Sequence, residues 1–214
     1  MPRLAAGPAP VVGFPMHLAC LDLEGVLVPE IWIAFSEATG IPELKRTTRD
    51  EPDYDKLMRF RLDILAKNNL KLADIQKVIS GMEPLPGAVE FANAVRERTQ
   101  LVILSDTFEQ FAKPLMKKLG WPVLLCNSLE AGKDGTITGY RLRQQNGKQE
   151  AVKAFKSLNM AVFAAGDSFN DLAMIHEADS GCLFRAPESI RKEYANIPCV
   201  DTFNGLLAEI DKFL

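Results

Sequence analysis

The sequence has few of the residues that build zinc-thiolate and disulfide sites. Its 214 residues include only two histidines, and no two of its four cysteines stand close enough for a CxxC pair. Each cysteine lies in or beside an apolar, strand-like run: Cys20, Cys126, Cys182 and Cys199. The pattern excludes a zinc centre and favours buried free thiols in a reducing compartment. We therefore predict a cytoplasmic protein.

Long apolar runs and an excess of basic residues are also missing. No stretch approaches the ~20 apolar residues that span a bilayer. The 25 lysines and arginines stand against 28 acidic residues, for a net charge of -3, whereas nucleic-acid binding needs a basic face. We expect small-molecule substrates, with neither nucleic acid nor membrane as a partner. Whether the chain forms a homodimer is left open.

The first 15 residues, MPRLAAGPAPVVGFP, are rich in proline, which fixes φ and removes backbone donors. The stretch lacks the uninterrupted apolar core and the cleavage pattern of a secretory signal. We predict that residues 1–15 form a disordered or loosely packed arm.

The body of the chain alternates short apolar runs with helical periodicity. A buried strand is predicted at His17–Leu21, and further strands follow at 101–104, 123–126, 161–165 and 181–184, with helices between them. The KDG sequence at 133–135 predicts a hairpin. This alternation indicates an α/β fold: a three-layer, Rossmann-like parallel sheet with helices on both faces.

Residues 28–82 depart from this pattern, because their apolar residues recur at helical spacing and no strand interrupts them. We predict a small helical cap there, inserted after the first strand. The α/β catalytic core would then comprise residues 16–27 and 83–214.

Acidic and hydroxyl groups follow three of the predicted strands, in the segments Asp22–Gly25, Ser105–Thr107 and Gly166–Asp171. Parallel topology brings these strand ends to one crevice. Like charges gathered in a partly dry site need a cation, and oxygen ligands favour magnesium. Lys148, at the start of a helix, can add a positive charge to the same crevice.

The residue types fit phosphoryl transfer through a carboxylate nucleophile. Asp22 stands first beyond a buried strand and is the candidate nucleophile. Glu24, two residues on, can protonate the leaving group and then activate water. Gly25 permits a tight turn close to the phosphate, and Ser105 can hydrogen-bond a phosphoryl oxygen.

The last cluster supplies the metal ligand, since Asp167 can hold the ion while Asp171 anchors it or orients Lys148. Each piece alone has an ordinary explanation: GDxxND as a turn and N-cap, a lysine as a solvated charge, Ser105 as a helix N-cap. Their occurrence together, in order, at strand ends and helix starts favours the catalytic interpretation.

These four pieces resemble the ordered motifs of the haloacid dehalogenase superfamily, as DLEGV, LSDT, Lys148 and GDSFND. The match covers residues 17–185. The cap position and the GDxxND form resemble the phosphoserine phosphatase branch, and longer runs resemble its bifunctional phosphoserine phosphatase/homoserine phosphotransferase type, known as ThrH. Those runs are Asp22–Trp32, Thr47–Asp55, Leu104–Phe108, Ala154–Leu158 and Ala164–Asp171.

The resemblance implies a magnesium-dependent phosphoserine phosphatase that works through an aspartyl-phosphate and also transfers the phosphoryl group to homoserine. Asp22 would be the nucleophile and Glu24 the acid/base. Magnesium would be held by Asp22, Asp167 and the backbone carbonyl of Glu24. The implied phosphate contacts are Ser105, Asp106 through its backbone, Lys148 and Asn170.

The resemblance also implies that Glu30 and Arg61, in the cap, bind the amino and carboxylate groups of phosphoserine. An arginine fork matches a carboxylate, and a carboxylate suits an ammonium. Without the resemblance, Arg61 would be interpreted as a surface helix charge and Glu30 as a charge favoured at a helix N-terminus.

Glu24 departs from the broader family, in which phosphoserine phosphatases carry aspartate at this point. We hypothesise that the extra methylene slows the activation of water, so that an alcohol such as homoserine can capture the phosphoryl group.

Three alternatives are weighed against this interpretation. A nucleotide-binding oxidoreductase lacks support, because no GxGxxG follows the first strand and its acids would repel a pyrophosphate. A non-catalytic binding module would be expected to lack Asp22 or Asp167. A phosphatase of another small phosphorylated metabolite stays the alternative within the enzyme class.

Overall fold

The computed structural model describes residue 13 and residues 15–48, 50–51 and 53–214. The predicted N-terminal arm therefore lies outside the described residues, apart from positions 13 and 15. Arg49 and Pro52, in the middle of the predicted cap, also fall outside them.

The described residues form a sheet of seven strands, with the order β4-β3-β2-β1-β5-β6-β7. All neighbours are parallel except β3 and β4, which form the predicted hairpin. The strands are β1 (Met16–Leu21), β2 (Gln100–Phe108), β3 (Val123–Ala131), β4 (Ile137–Arg141), β5 (Met160–Gly166), β6 (Ser180–Phe184) and β7 (Cys199–Val200). The chain progresses outward from β1 in both directions, which places the switch point of the sheet at the end of β1.

Helices cover both faces of this sheet, as predicted for a three-layer α/β fold. One face packs against α4 (Ala88–Arg96), α5 (Glu109–Lys118) and α9 (Phe203–Phe213); the other packs against α6 (Gly147–Ser157), α7 (Leu172–Glu177) and α8 (Glu188–Glu193). Alternate residues of β1 enter the two apolar clusters, with Leu21 in the first and Cys20 in the second. This two-sided burial explains why β1 reads as a continuous apolar run.

In the described part of the segment between β1 and α4, the regular elements are all helices. The segment contains α1 (Ile31–Thr39), a 3-10 turn at Pro42–Lys45, α2 (Tyr54–Lys67) and α3 (Leu72–Gly81). Phe35 of α1 and Ile79 of α3 belong to the same apolar cluster as Phe111 of α5. The cap segment thus packs on the sheet helices through continuous apolar contact, while its boundaries as a domain stay a prediction.

Two details of the sheet differ from the sequence prediction. β2 does not end at Leu104 but continues to Phe108, because the pairing with β3 shifts register there and resumes at Phe108 and Asn127. The short strand β7 has too few residues for a periodic signal. Among the described helices, none has the length and apolar content to cross a membrane.

Candidate active site

Asp22 stands directly beyond the end of β1, in the centre of the sheet. Its backbone N–H donates to the carbonyl of Ala165 on β5 at 3.0 Å, so the sheet ladder fixes its position. Its Oδ1 lies 3.0 Å from the Lys148 ammonium. Burial raises the pKa of the Asp22 carboxyl well above its usual value. The Asp171 and Asp167 carboxylates raise this pKa further, and Lys148 opposes them.

The turn after Asp22 needs glycine at position 25 for two separate reasons. Gly25 has φ +78°, a left-handed conformation that side chains disfavour. A Cβ at this position would also lie 2.7 Å from the carboxyl carbon of Asp167. Gly25 therefore lets the Asp167 carboxylate pack directly against the loop that carries Asp22.

Glu24 connects the same turn to the cap segment. Its Oε2 accepts a hydrogen bond of 2.9 Å from the backbone N–H of Ile31, the first residue of α1. Burial and the nearby Glu30 raise the pKa of Glu24 to about 7, although the bonds from Ile31 and Thr107 and the charge of Arg61 act in the opposite direction. The Glu24 carboxyl is thus suited both to donate and to accept a proton near neutral pH.

Asp171 organises the loop after β5 and is fully buried. Its Oδ2 accepts from the backbone N–H groups of Asp167 and Ser168, each at 3.0 Å, and from the Ser168 hydroxyl at 3.1 Å. Its Oδ1 accepts from Lys148 at 2.7 Å. A Cβ on Gly166 would stand 2.2 Å from the Asp171 carboxyl carbon, so this close packing requires glycine there as well.

Lys148 lies in the first turn of α6 and is only 5% exposed, so the interpretation as a solvated charge is wrong. Its ammonium lies within 3.0 Å of Asp22 and Asp171 and 3.7 Å from Asp106. Burial alone would lower the pKa of Lys148, but the three carboxylates outweigh it and raise the pKa well above its usual value. The side chain therefore remains an ammonium in the crevice.

The carboxylates fit a divalent cation. Oxygen atoms of Asp22, Asp167 and Asp171 lie within 4.8 Å of one another, and all three residues are buried. When ionised, these three groups face the single charge of Lys148, so two negative charges remain to be balanced. Both oxygens of Asp171 already accept hydrogen bonds, which suits Asp171 to a supporting role. Hard carboxylate oxygens of this kind suit magnesium.

The end of β2 brings three more predicted residues to the crevice. The Asp106 carboxylate accepts from the Asn170 amide at 2.9 Å, and its backbone carbonyl accepts from the Tyr54 hydroxyl at 3.0 Å. Ser105 is buried and does not cap α5, whose N-cap is Phe108. Its hydroxyl accepts from the backbone N–H of Thr107 at 3.2 Å, and the residue lines the crevice.

A cavity of about 90 Å³ joins these strand ends to the cap segment. Nine predicted site residues line the cavity, whereas Gly25 and Asp171 support them from behind. The lining comprises Asp22, Glu24, Glu30, Trp32, Thr47, Thr48, Tyr54, Arg61, Ser105, Asp106, Thr107, Phe108, Lys148, Asp167, Ser168 and Asn170.

The two predicted cap residues both reach this cavity. Arg61 is 6% exposed, so its interpretation as a surface helix charge is wrong. Burial lowers the pKa of Arg61 to about 10, against the opposing effect of Glu24 and Glu30. Glu30 occupies the N-cap position of α1, as expected from helix electrostatics, and lines the cavity as well.

Sequence reasoning missed the aromatic part of the lining. Trp32 and Tyr54 stand at helical spacing with other apolar residues, a pattern that predicts helices and does not single out either residue for the site. Tyr54 has a polar tip that reaches the end of β2, and Trp32 lies against Arg61. Only the position of Trp32 two residues after Glu30 could have suggested a place near the site.

The residue pattern and the fold agree with known proteins. The profile of the haloacid dehalogenase-like hydrolases matches residues 21–176. The chain belongs to this family. The match includes all the strand ends that form the crevice, so the family assignment and the site geometry concern the same residues.

Two curated relatives and one solved structure extend the comparison. The chain of this hydrolase is 57% identical to phosphoserine phosphatase ThrH of Pseudomonas aeruginosa, over 92% of this chain and 96% of the relative. It is 56% identical to a phosphoserine phosphatase of Pseudomonas syringae pv. tomato, over 92% and 83%. A structure of a phospho-aspartyl intermediate analogue of phosphoserine phosphatase superposes with a TM-score of 0.74 at 22% identity, over 94% and 99%, which shows a shared fold.

Proposed function

We propose that this hydrolase is a magnesium-dependent phosphoserine phosphatase that forms an aspartyl-phosphate on Asp22. We also propose that it passes the phosphoryl group from phosphoserine to homoserine. The observation that carries the proposal is a single small cavity with two chemically different ends. One end has the carboxylate and ammonium cluster, and the other has Arg61 and Glu30.

The cap end of the cavity suits a zwitterionic amino acid. The guanidinium of Arg61 can bind a carboxylate through two parallel hydrogen bonds, and the carboxylate of Glu30 can bind an ammonium. The 57% sequence identity to the phosphoserine phosphatase ThrH of Pseudomonas aeruginosa supports phosphoserine as the substrate.

The sheet end suits a phosphoryl group. Ser105, Asn170 and the backbone of Asp106 would donate to its oxygens, and the Lys148 ammonium would offset their charge. Magnesium, held by Asp22, Asp167 and the carbonyl of Glu24, would supply further charge neutralisation when bound.

The chemistry then follows in two steps. An Asp22 oxygen attacks phosphorus while the serine oxygen leaves and takes a proton from Glu24. Water, deprotonated by Glu24, next attacks the phosphoryl group, releases phosphate and restores the Asp22 carboxylate. If the hydroxyl of homoserine replaces that water, the product is phosphohomoserine.

The transfer to homoserine rests on the resemblance and on the identity of residue 24. The same cavity would receive serine and homoserine in turn, since both present an ammonium and a carboxylate to Glu30 and Arg61. The longer side chain of Glu24 would then set how well water competes with the alcohol.

The decisive assay supplies phosphoserine and magnesium, with and without homoserine, and follows both free phosphate and phosphohomoserine. We expect phosphate release to require magnesium and phosphohomoserine to form only with homoserine. Asp22→Asn should abolish both products and retain the cooperative unfolding of the parent. Normal turnover in that variant would refute the mechanism. A panel of sugar phosphates and phosphothreonine tests the alternative substrates.

A further inference from the structure

Arg61 is a buried cation with few direct partners. Its Nη2 donates to the backbone carbonyl of Arg46 at 2.8 Å, and its Nη1 lies 3.8 Å from the Met58 sulfur. Its Nε is buried and, within the described part of the chain, has no hydrogen-bond partner. A buried N–H of this kind is costly unless a ligand satisfies it. The guanidinium therefore carries an unused donor at the wall of the cavity.

Two carboxylates stand close enough to compete for this cation. Both Glu24 and Glu30 line the same cavity and stabilise the charged form of Arg61. Even so, no ion pair within 4.0 Å joins Arg61 to either of them among the described residues. The Arg46 carbonyl holds only one nitrogen of the guanidinium, so the plane of the group needs a further restraint.

Trp32 provides that restraint. The central carbon of the Arg61 guanidinium lies 4.5 Å from the centre of a Trp32 ring. Trp32 is itself held edge-to-face against Phe35 at 6.3 Å and Phe111 at 5.8 Å, and only 7% of it is exposed. The indole is thus a fixed surface over which a planar guanidinium can stack.

We propose that Trp32 is a positioning residue that keeps the Arg61 fork directed at the carboxylate of the substrate and away from Glu24 and Glu30. The inference rests on the proposed function and adds a determinant of specificity to it. Trp32 would strengthen the binding of phosphomonoesters that carry a carboxylate, and it would leave the phosphate contacts unaffected.

The test compares Trp32→Leu and Trp32→Phe with the parent enzyme. Two constants come from the same assay: KM for phosphoserine and the inhibition constant of inorganic phosphate, which has no carboxylate. We expect Trp32→Leu to raise KM by about tenfold or more with kcat and the phosphate constant within about twofold of the parent. Trp32→Phe should restore most of the loss.

A double-mutant cycle separates positioning from simple packing. In an Arg61→Ala background, Trp32→Leu should raise KM no further, because the group on which it acts is gone. Trp121→Leu, which changes the exposed second tryptophan, is the matched control and should leave both constants unchanged. Equal changes in KM and in the phosphate constant, or additive effects in the cycle, would overturn the inference. A parent enzyme inactive on phosphoserine would refute the proposed function instead.

Discussion

Replacement of Gly25 by alanine tests the packing that brings the loop after Asp22, the proposed nucleophile, to Asp167. The new Cβ would start 2.7 Å from the Asp167 carboxyl carbon, whereas ordinary contact begins at 3.4 Å. The carboxylate must therefore retreat by about 0.7 Å, the difference between these two distances. A displacement of about 1 Å in a catalytic group costs roughly a hundredfold in rate. The left-handed backbone adds roughly 1–2 kcal/mol of destabilisation for any L-residue.

Gly40→Ala separates these two effects. Gly40 has φ +69°, close to the +78° of Gly25, but a Cβ there meets nothing within 4 Å. Both variants should lose roughly 1–2 kcal/mol in urea unfolding. Only Gly25→Ala should also lose about a hundredfold in phosphoserine hydrolysis and need more magnesium for half-maximal rate. Equal activity and equal magnesium dependence in the two variants would refute the steric argument.

Three further predictions concern the acid, the cap and the thiols. Glu24→Asp should shift the product ratio towards phosphate and away from phosphohomoserine when both acceptors are present; an unchanged ratio discards the role assigned to the extra methylene. Tyr54→Phe removes the hydroxyl that donates to Asp106 and should cost about 1 kcal/mol in unfolding, with a higher KM for phosphoserine because the cap closes less firmly. Burial raises the pKa of Cys20 and Cys182 to about 12. At pH 8 their thiolate fraction is roughly a thousandfold below that of a thiol of pKa 9, so neither should react with a thiol reagent until urea unfolds the chain.

The controls for these predictions are available in the same chain. Tyr140→Phe removes a hydroxyl that donates to the exposed Asp55 at 2.7 Å and keeps the ring that packs edge-to-face on Tyr54 at 5.8 Å. It should reproduce little of the kinetic effect of Tyr54→Phe. Cys199 is only half-buried, and selective labelling there with protection of Cys20 would agree with the thiol prediction.

The strands of the sheet and the residues at its carboxyl edge could be predicted, because both depend on the pattern of neighbouring residues in the sequence. A strand buried on both faces is apolar throughout, and polar residues directly after it must stand at the sheet edge. That logic places Asp22 and Asp167 together without knowledge of any long-range contact. The helices of the cap segment were predictable for the same reason, from apolar spacing alone.

The cap side of the site was harder, since it depends on how one helix packs on another. Periodicity places Arg61 and Trp32 in helices but does not say that they face each other. From the sequence, core packing is a sufficient explanation for the apolar Trp32, and exposure to solvent is a sufficient explanation for the charged Arg61. Only the packed structure shows the two in contact beside the cavity.

The hydrogen bond from Ile31 to Glu24 has a consequence for timing. This bond joins Glu24, the proposed proton donor, to the start of α1, so any swing of that helix away from the sheet withdraws the Ile31 N–H that holds the carboxyl. Glu24 would then be oriented for proton transfer only while the cap segment closes the cavity. A phosphorylated enzyme could thus open, exchange one amino acid for another, and lose little of its phosphoryl group to solvent in between.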